Sequence, residues 1–302
     1  MRADGQQMDR DTLRAALIQL NVTDDPAVNL PVTMGFIRDA AAQGAQLIAT
    51  PEATNLLSPS RDWQRRVLRR QDDDPTLAAL RDQAARAGIW LLIGSLALRA
   101  EHEDRFVNRS FLIGPDGAIA AQYDKIHMFD VTLSDSESYR ESAAYRPGGR
   151  AVMGAGPVPI GMTICYDLRF AHLHRRLAQA GASILTVPSA FSPTTGAAHW
   201  HVLLRARAIE TGCFVLAPAQ CGLHPAPNAD GRTQRRSYGH SLAVDPWGAV
   251  LADAGADAPG VTIVELDLTA IDKARSRVPS LTHDRDFGGP DQPMADDPER
   301  VT

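Results

Sequence analysis

Cysteine is scarce in this 302-residue sequence. Cys165, Cys213 and Cys221 are an odd, widely spaced set that argues against a disulfide framework and fits reduced thiols. Positive charge is not in surplus either: 31 Lys and Arg stand against 36 Asp and Glu, and the net charge of −5 offers no basic field for a phosphate backbone or an anionic membrane. Long apolar runs are also missing. The longest, around "IWLLIGSLAL", is too short to span a bilayer, and the opening "MRADGQQMDRD" lacks the apolar centre of a secretion signal. Nucleic-acid and membrane partners are therefore not expected, the tripeptides "NVT" and "NRS" carry no glycosylation meaning, and the chain reads as cytoplasmic.

What is present is 44% hydrophobic sequence, enough to bury a substantial core. "LRAALIQL" (13–20) predicts a buried strand. Asn29 then caps a helix with Pro31 in its first turn and Gly44 at its end. A strand "QLIATPEA", a helix over 75–87 closed by Gly88, a strand at 89–98 and a hairpin of "FVNRSFLIG" and "AIAAQYDK" about Pro115-Asp116-Gly117 follow. The second half repeats the order: strand 158–165, helix 168–180, strand 183–188, helix 197–211, strand 213–219 and the hairpin "SLAVDPWGAVLAD". "GAQLIATPEA" (44–53) aligns without a gap on "GASILTVPSA" (181–190), a constant offset of 137. The repeat implies an internal pseudo-twofold. Two such units hide their sheets by stacking them face to face, giving an α/β fold in a four-layer α-β-β-α sandwich. One domain is expected over residues 11–282. Residues 1–10 and 283–302 are expected to be flexible ends, the second a loose tail or an arm on a partner subunit. The low-hydrophobicity loop at 224–236 is expected to rim a crevice.

Three positions stand at strand ends with reactive side chains. Cys165 in "GMTICYDLRF" leads into a predicted helix, whose N-terminal N–H groups favour a thiolate, with the Tyr166 N–H as an oxyanion donor. Glu52 in "TPEATN" follows an apolar strand and should be partly desolvated, with a raised proton affinity suited to a general base, although a solvated strand-end glutamate fits that stretch as well. Lys125 in "YDKIHMFD" has apolar neighbours that argue for a part-buried ammonium, and such a charge needs an anionic neighbour. Other constellations are weaker. His172 with His174, and His199 with His201, lack the i, i+4 spacing of helical metal ligands; a Cys-His pair through His127, or a zinc set from Cys213, Cys221 and His224, has no local pattern behind it.

"TPEATN", "YDKIHMFD" and "GMTICYDLRF", in that order, resemble the nitrilase or carbon–nitrogen hydrolase superfamily, and the likeness runs from about Leu13 to Arg277. The resemblance implies an α-β-β-α sandwich with Cys165 as nucleophile, Glu52 as general base and Lys125 as the cation that stabilises the tetrahedral intermediate. It also assigns Glu141, in "YRESAAYRPG", as a second glutamate orienting lysine and substrate. Within the superfamily, "PSAFSPTTGAAHWHVLLRARAIETGCFVLAPAQCG" and "SYGHSLAVDPWG" are most similar to the Nit branch of deaminated glutathione amidases and omega-amidases. The implied activity is hydrolysis of a small carboxylate-bearing amide, deaminated glutathione-like, to acid and ammonia through a cysteine thioester. Alternatives with the same triad are an omega-amidase on 2-oxoglutaramate, an N-carbamoyl-amine hydrolase or a nitrilase. Neither metal nor organic cofactor is implied, and the family's habit implies a homodimer. A carboxylate-bearing substrate points to a pocket arginine, with Arg169, Arg205 and Arg207 as candidates. Tyr166, Phe191 and Thr195, with Thr194 and Trp200, are expected near the pocket wall.

Overall fold

The computed structural model describes residues 11–290, with 135, 136, 230, 232 and 233 excepted. Its first half runs β1 (Thr12–Gln19), α1 (Pro26–Ala42), β2 (Leu47–Ala49), α2 (Arg61–Val67), α3 (Pro75–Ala87), β3 (Trp90–Arg99), β4 (Phe106–Ile113), β5 (Ile119–Asp124), β6 (Asp130–Ser134) and β7 (Glu137–Arg140). The second runs β8 (Val152–Ala155), β9 (Pro159–Met162), α4 (Ala171–Gln179), β10 (Ile184–Thr186), α5 (Pro193–Thr211), β11 (Phe214–Ala217), β12 (Cys221–Leu223), β13 (Arg236–Tyr238), β14 (Leu242–Val244) and β15 (Val250–Asp253). β16 (Gly260–Asp267) and α6 (Thr269–Arg277) are the last strand and the last α-helix among the described residues.

Two six-stranded sheets result, ordered β16-β1-β2-β3-β4-β5 and β15-β14-β11-β10-β9-β8. Read from opposite edges they are the same sheet. In each, a strand flanked by two parallel neighbours sits near the middle, β2 in one and β10 in the other, and Leu47 and Ile184 begin these strands at the offset of the sequence repeat. The alternation of side chains along β1 divides the interior: Leu13, Ala15 and Leu17 join the core shared with β9 and β10, while Ala16 and Ile18 pack with Ile37 of α1 and Leu80 of α3. Trp200 and Leu204 of α5 cover the far face of the second sheet. The layers are therefore helix, sheet, sheet, helix, as the repeat implied. Burying each such Leu or Ile contributes roughly 1.5–3 kcal/mol, which makes the stacked arrangement the favourable one for sheets apolar on both faces.

Local chemistry sets the element ends. Asp74 accepts from the Leu77 N–H at 2.8 Å to cap α3, Pro75 occupies its first position, and Gly88 ends it in the left-handed region at φ 64°. α1 departs from expectation. It is capped by Asp25, whose side chain accepts from Ala27, and it begins at Pro26, so Pro31 lies inside it. Asn29 is buried instead and ties Thr23 to Asn55. The strand expected to run into Cys165 stops at Met162, and the expected helix from 168 is a 3₁₀ turn over Cys165–Arg169 followed by α4. Of the expected flexible ends, 1–10 and 291–302 lie outside the described residues, while Asp284 is held by Arg175 and Gln179 of α4.

Candidate active site

All three strand-end residues reach one place because the two sheets face each other. Glu52 leaves β2 and Lys125 leaves β5 in the first sheet; Cys165 leaves β9 in the second. Gly94 makes the approach close enough, since a Cβ there would lie 2.0 Å from the Thr50 carbonyl oxygen and 2.6 Å from the Pro188 Cβ. Beyond β9 the chain still pairs with the second repeat segment, through Thr163 N–H to Thr186 O and Cys165 N–H to Pro188 O at 3.0 Å.

The Lys125 ammonium is buried and donates to Glu52 Oε1 at 2.9 Å and to Glu141 Oε2 and Oε1 at 2.8 and 3.1 Å. Asn108 on β4 donates to Glu52 at 2.9 Å and reaches Glu141 at 3.4 Å, while the backbone N–H groups of Ala190 and Phe129 donate to Oε2 of Glu52 and Oε2 of Glu141 at 2.8 and 2.7 Å. Burial would lower the Lys125 pKa, but the charges of Glu141 and Glu52 outweigh it and hold the ammonium well above its usual range. For Glu52, burial pulls upward, yet Lys125 and Arg235 win and the carboxyl is held below its ordinary value. The expected raised proton affinity of Glu52 is therefore corrected: two cations override desolvation.

The Cys165 thiol lies within the fields of both Glu52 and Lys125. Burial and the neighbouring Glu52 charge push it up, not down, so a thiolate held by helix N–H groups is also corrected; a five-residue 3₁₀ turn cannot offset two larger effects. Cys165 sits at φ 49° and Ala53, next to Glu52, at φ 56°, conformations that disfavour side chains and that cluster at functional sites. Asp167 braces the bend at Cys165. Its buried carboxylate accepts from the Ile164 N–H at 2.9 Å, the Tyr123 hydroxyl at 2.7 Å and the His127 N–H at 3.1 Å. His127 is thus committed to Asp167 through its ring as well, at 2.7 Å.

Glu52, Asn108, Lys125, Glu141 and Cys165 line a cavity of about 210 Å³ with Phe129, Tyr139, Tyr145, Tyr166, Phe191, Thr195 and Arg235. A thiol beside a carboxylate and an ammonium supplies a nucleophile, a proton acceptor and a cation for the oxyanion in attack on an acyl carbon.

Residues 14–276 match the carbon–nitrogen hydrolase family. The chain belongs to that family. It is an enzyme of carbon–nitrogen bond hydrolysis within the nitrilase superfamily. The chain is 38% identical over 273 residues to the deaminated glutathione amidase of Yersinia enterocolitica, covering 89% of this chain and 92% of that one. The crystal structure of the C. elegans NitFhit protein superposes with a TM-score of 0.82 at 32% identity, covering 92% of this hydrolase and 66% of that longer chain. A mutant of the amidase from Nesterenkonia sp. AN1, carrying the acetamide moiety of fluoroacetamide covalently on its active-site cysteine, aligns at 26% identity. Its TM-score is 0.72, and the match covers 91% of this chain and 98% of that one.

The remaining sequence candidates separate in this hydrolase. Tyr166, Phe191 and Thr195 line the cavity. Arg169 does not; it lies beside the Tyr166 and Phe191 rings, 5.8 and 5.7 Å from their centroids, with His199 at 3.3 Å. Arg205 bonds Gly248 O, and Arg207 bonds Leu168 O and Glu210. Cys213, within reach of Arg275, and His224, held by Val22 and Ser237, are parts of separate networks. His201 finds a different partner from His199: with His240 and Asp253 it forms the one group of three metal-capable side chains among the described residues, each histidine hydrogen-bonded to Asp253 at 2.9 Å. Sequence reading missed Asn108, Asp167 and Arg235. The first two had a signal, a polar residue amid an apolar strand and an acid two places after the cysteine; Arg235, on the 224–236 loop, had none.

Proposed function

We propose that this hydrolase cleaves small carboxylate-bearing amides through a Cys165 thioester, with a deaminated glutathione-like compound as the substrate class. The observation that carries the reading is the convergence of Cys165, Glu52, Lys125 and Glu141 in one cavity. Glu52 takes the thiol proton as sulfur attacks the amide carbon, and Lys125 with the Tyr166 N–H receives the oxyanion. Charge is moved, not created: it leaves Glu52, passes to sulfur and then to oxygen, always beside the same ammonium. Glu52 then protonates the leaving nitrogen and, in the second half, takes a proton from the water that cleaves the thioester. Glu141 orients Lys125. Tyr166, Phe191 and Thr195 line the acyl site, and Arg169 packs against the first two of these. A primary amide releases ammonia. Deaminated glutathione contains only secondary amides, so its leaving group is an amine and the assay must follow acid and amine together.

The support for this substrate class is the set of deaminated glutathione amidases among the relatives. One catalytic domain over 11–282, a cytoplasmic site consistent with three free cysteines, and a homodimer complete the proposal. Purified protein is assayed on deaminated glutathione, 2-oxoglutaramate, an N-carbamoyl amine and a nitrile. Deaminated glutathione is expected to be turned over best; Cys165→Ala is expected to abolish hydrolysis, and Glu52→Gln or Lys125→Ala to lower turnover by at least about 10²- to 10³-fold. Near-normal turnover in any of the three variants would sink the assignment of roles.

A further inference from the structure

Lys125 is fully engaged by two carboxylates and has no charge to spare for a distant part of the substrate. A second cation in the cavity wall is differently placed. The Arg235 guanidinium donates from Nη2 to the Ala190 carbonyl and stacks at 5.5 Å from the Tyr139 ring, while its Nε is buried with no hydrogen-bond partner. Among the described residues it has no ion-pair partner. Arg140, which also lines the cavity, is spoken for: its guanidinium donates to Val131 O, Tyr139 O and the Thr132 hydroxyl. Ala190 fixes Arg235 against the reacting groups, because its N–H holds Glu52 while its carbonyl holds Arg235. The guanidinium is also near enough for its charge to be felt at both Glu52 and Cys165.

A part-buried guanidinium in a cavity wall, with no ion-pair partner among the described residues, is a receptor for an anion of planar, forked geometry. We propose that Arg235 holds the carboxylate of the substrate while its amide carbon lies at Cys165, and so sets the preference for acidic over neutral amides. The assignment rests on the amidase reading above. It makes the 224–236 loop the source of specificity, since the reacting groups come from elsewhere in the chain.

Glutaramate and pentanamide test it, being amides of equal chain length in which a carboxylate replaces a methyl group. The wild type is expected to prefer glutaramate in kcat/KM, and Arg235→Ala to reduce that preference by about 10- to 100-fold, the range for a hydrogen bond to a charged group. Arg235→Lys, which keeps the charge and loses the fork, is expected to fall between. A role confined to folding or to the field at Glu52 would slow both amides alike and leave the ratio standing, which overturns the proposal. So does a larger loss of preference in Arg169→Ala than in Arg235→Ala, which would put the carboxylate at Arg169. Calorimetric titration with glutarate separates this from the amidase reading: tenfold or greater weakening in Arg235→Ala supports the site, and equal affinity overturns it, whether or not either amide is hydrolysed. Absence of turnover of both amides by the wild type would count against the amidase reading alone.

Discussion

Of the Cys165 thiol and the Glu52 carboxylate, it is sulfur that holds the proton, because burial and the adjacent carboxylate raise the thiol while Lys125 and Arg235 keep the carboxyl ionised. Proton transfer in the empty site is uphill, so it has to accompany attack on the substrate. The pH dependence follows. Glu52 stays active above its depressed pKa and is lost only as pH falls through it, below the ordinary carboxylate range. Neither Cys165 nor Lys125 gives up its proton until well above neutrality. We expect kcat/KM to be flat from about pH 5 to about pH 8, and the rate of Cys165 modification by a neutral alkylating reagent to climb with pH through that window. A modification rate that levels off below pH 7 would show a free thiolate and contradict this protonation state. At this scale the reactive residues were legible because each ends an apolar strand, whereas their protonation states were not. Those depend on which charges surround them, and sequence distance carries no such information.

Among the elements, β3 has the narrowest tolerance. It passes Pro51 and Pro188, the paired prolines of the repeat, with only a hydrogen at Gly94 between backbones. Gly94→Ala would drive these segments apart, and with them Glu52 from the Ala190 N–H. Overpacking of this kind costs about 1–3 kcal/mol, and a displacement near 1 Å at reacting groups about 10²-fold in rate. The variant is therefore expected to unfold at lower urea and to lose turnover out of proportion to its fraction folded; unchanged kcat would show the approach to be slack. The strands on either side of Gly94 were legible from their apolar runs. The β6–β7 ribbon was not, because the apolar alternation in "DVTLSDSESYR" is only Val131 and Leu133 long: the ribbon is held from outside, by Glu137 accepting from the hydroxyls of Ser192 and Thr194 at the start of α5. The helix start at Asp25 was missed for a related reason. Asn29 has the right chemistry for a cap, but tertiary partners claim its side chain.

For the molecule as a whole, the repeat made both the layer order and the near-symmetry of the sheets legible. It gave no hint of what covers the second helical layer. Val202 and Ile209, seven residues apart on α5, are exposed, as are Trp247, Val250 and Leu251 on the hairpin packed beside that helix. Apolar side chains so exposed on adjoining elements fit an interface with a second copy. Sedimentation equilibrium is expected to give about twice the 32.6 kDa chain mass, and Ile209→Asp to lower it; a wild-type monomer at micromolar concentration would refute the dimer.

One strand pairing also constrains how the enzyme comes into being. β1, the first strand among the described residues, finds its outer neighbour in β16, with Thr12 opposite Asp267 and Gln19 opposite Gly260. The sheet that bears Glu52 and Lys125 therefore cannot be finished while the ribosome is still making the second half. Its edge must wait, unpaired, for a strand some 240 residues downstream. Competence should appear late and all at once, only when β16 has left the ribosome, and nascent chains stalled before residue 260 should be the ones that chaperones hold.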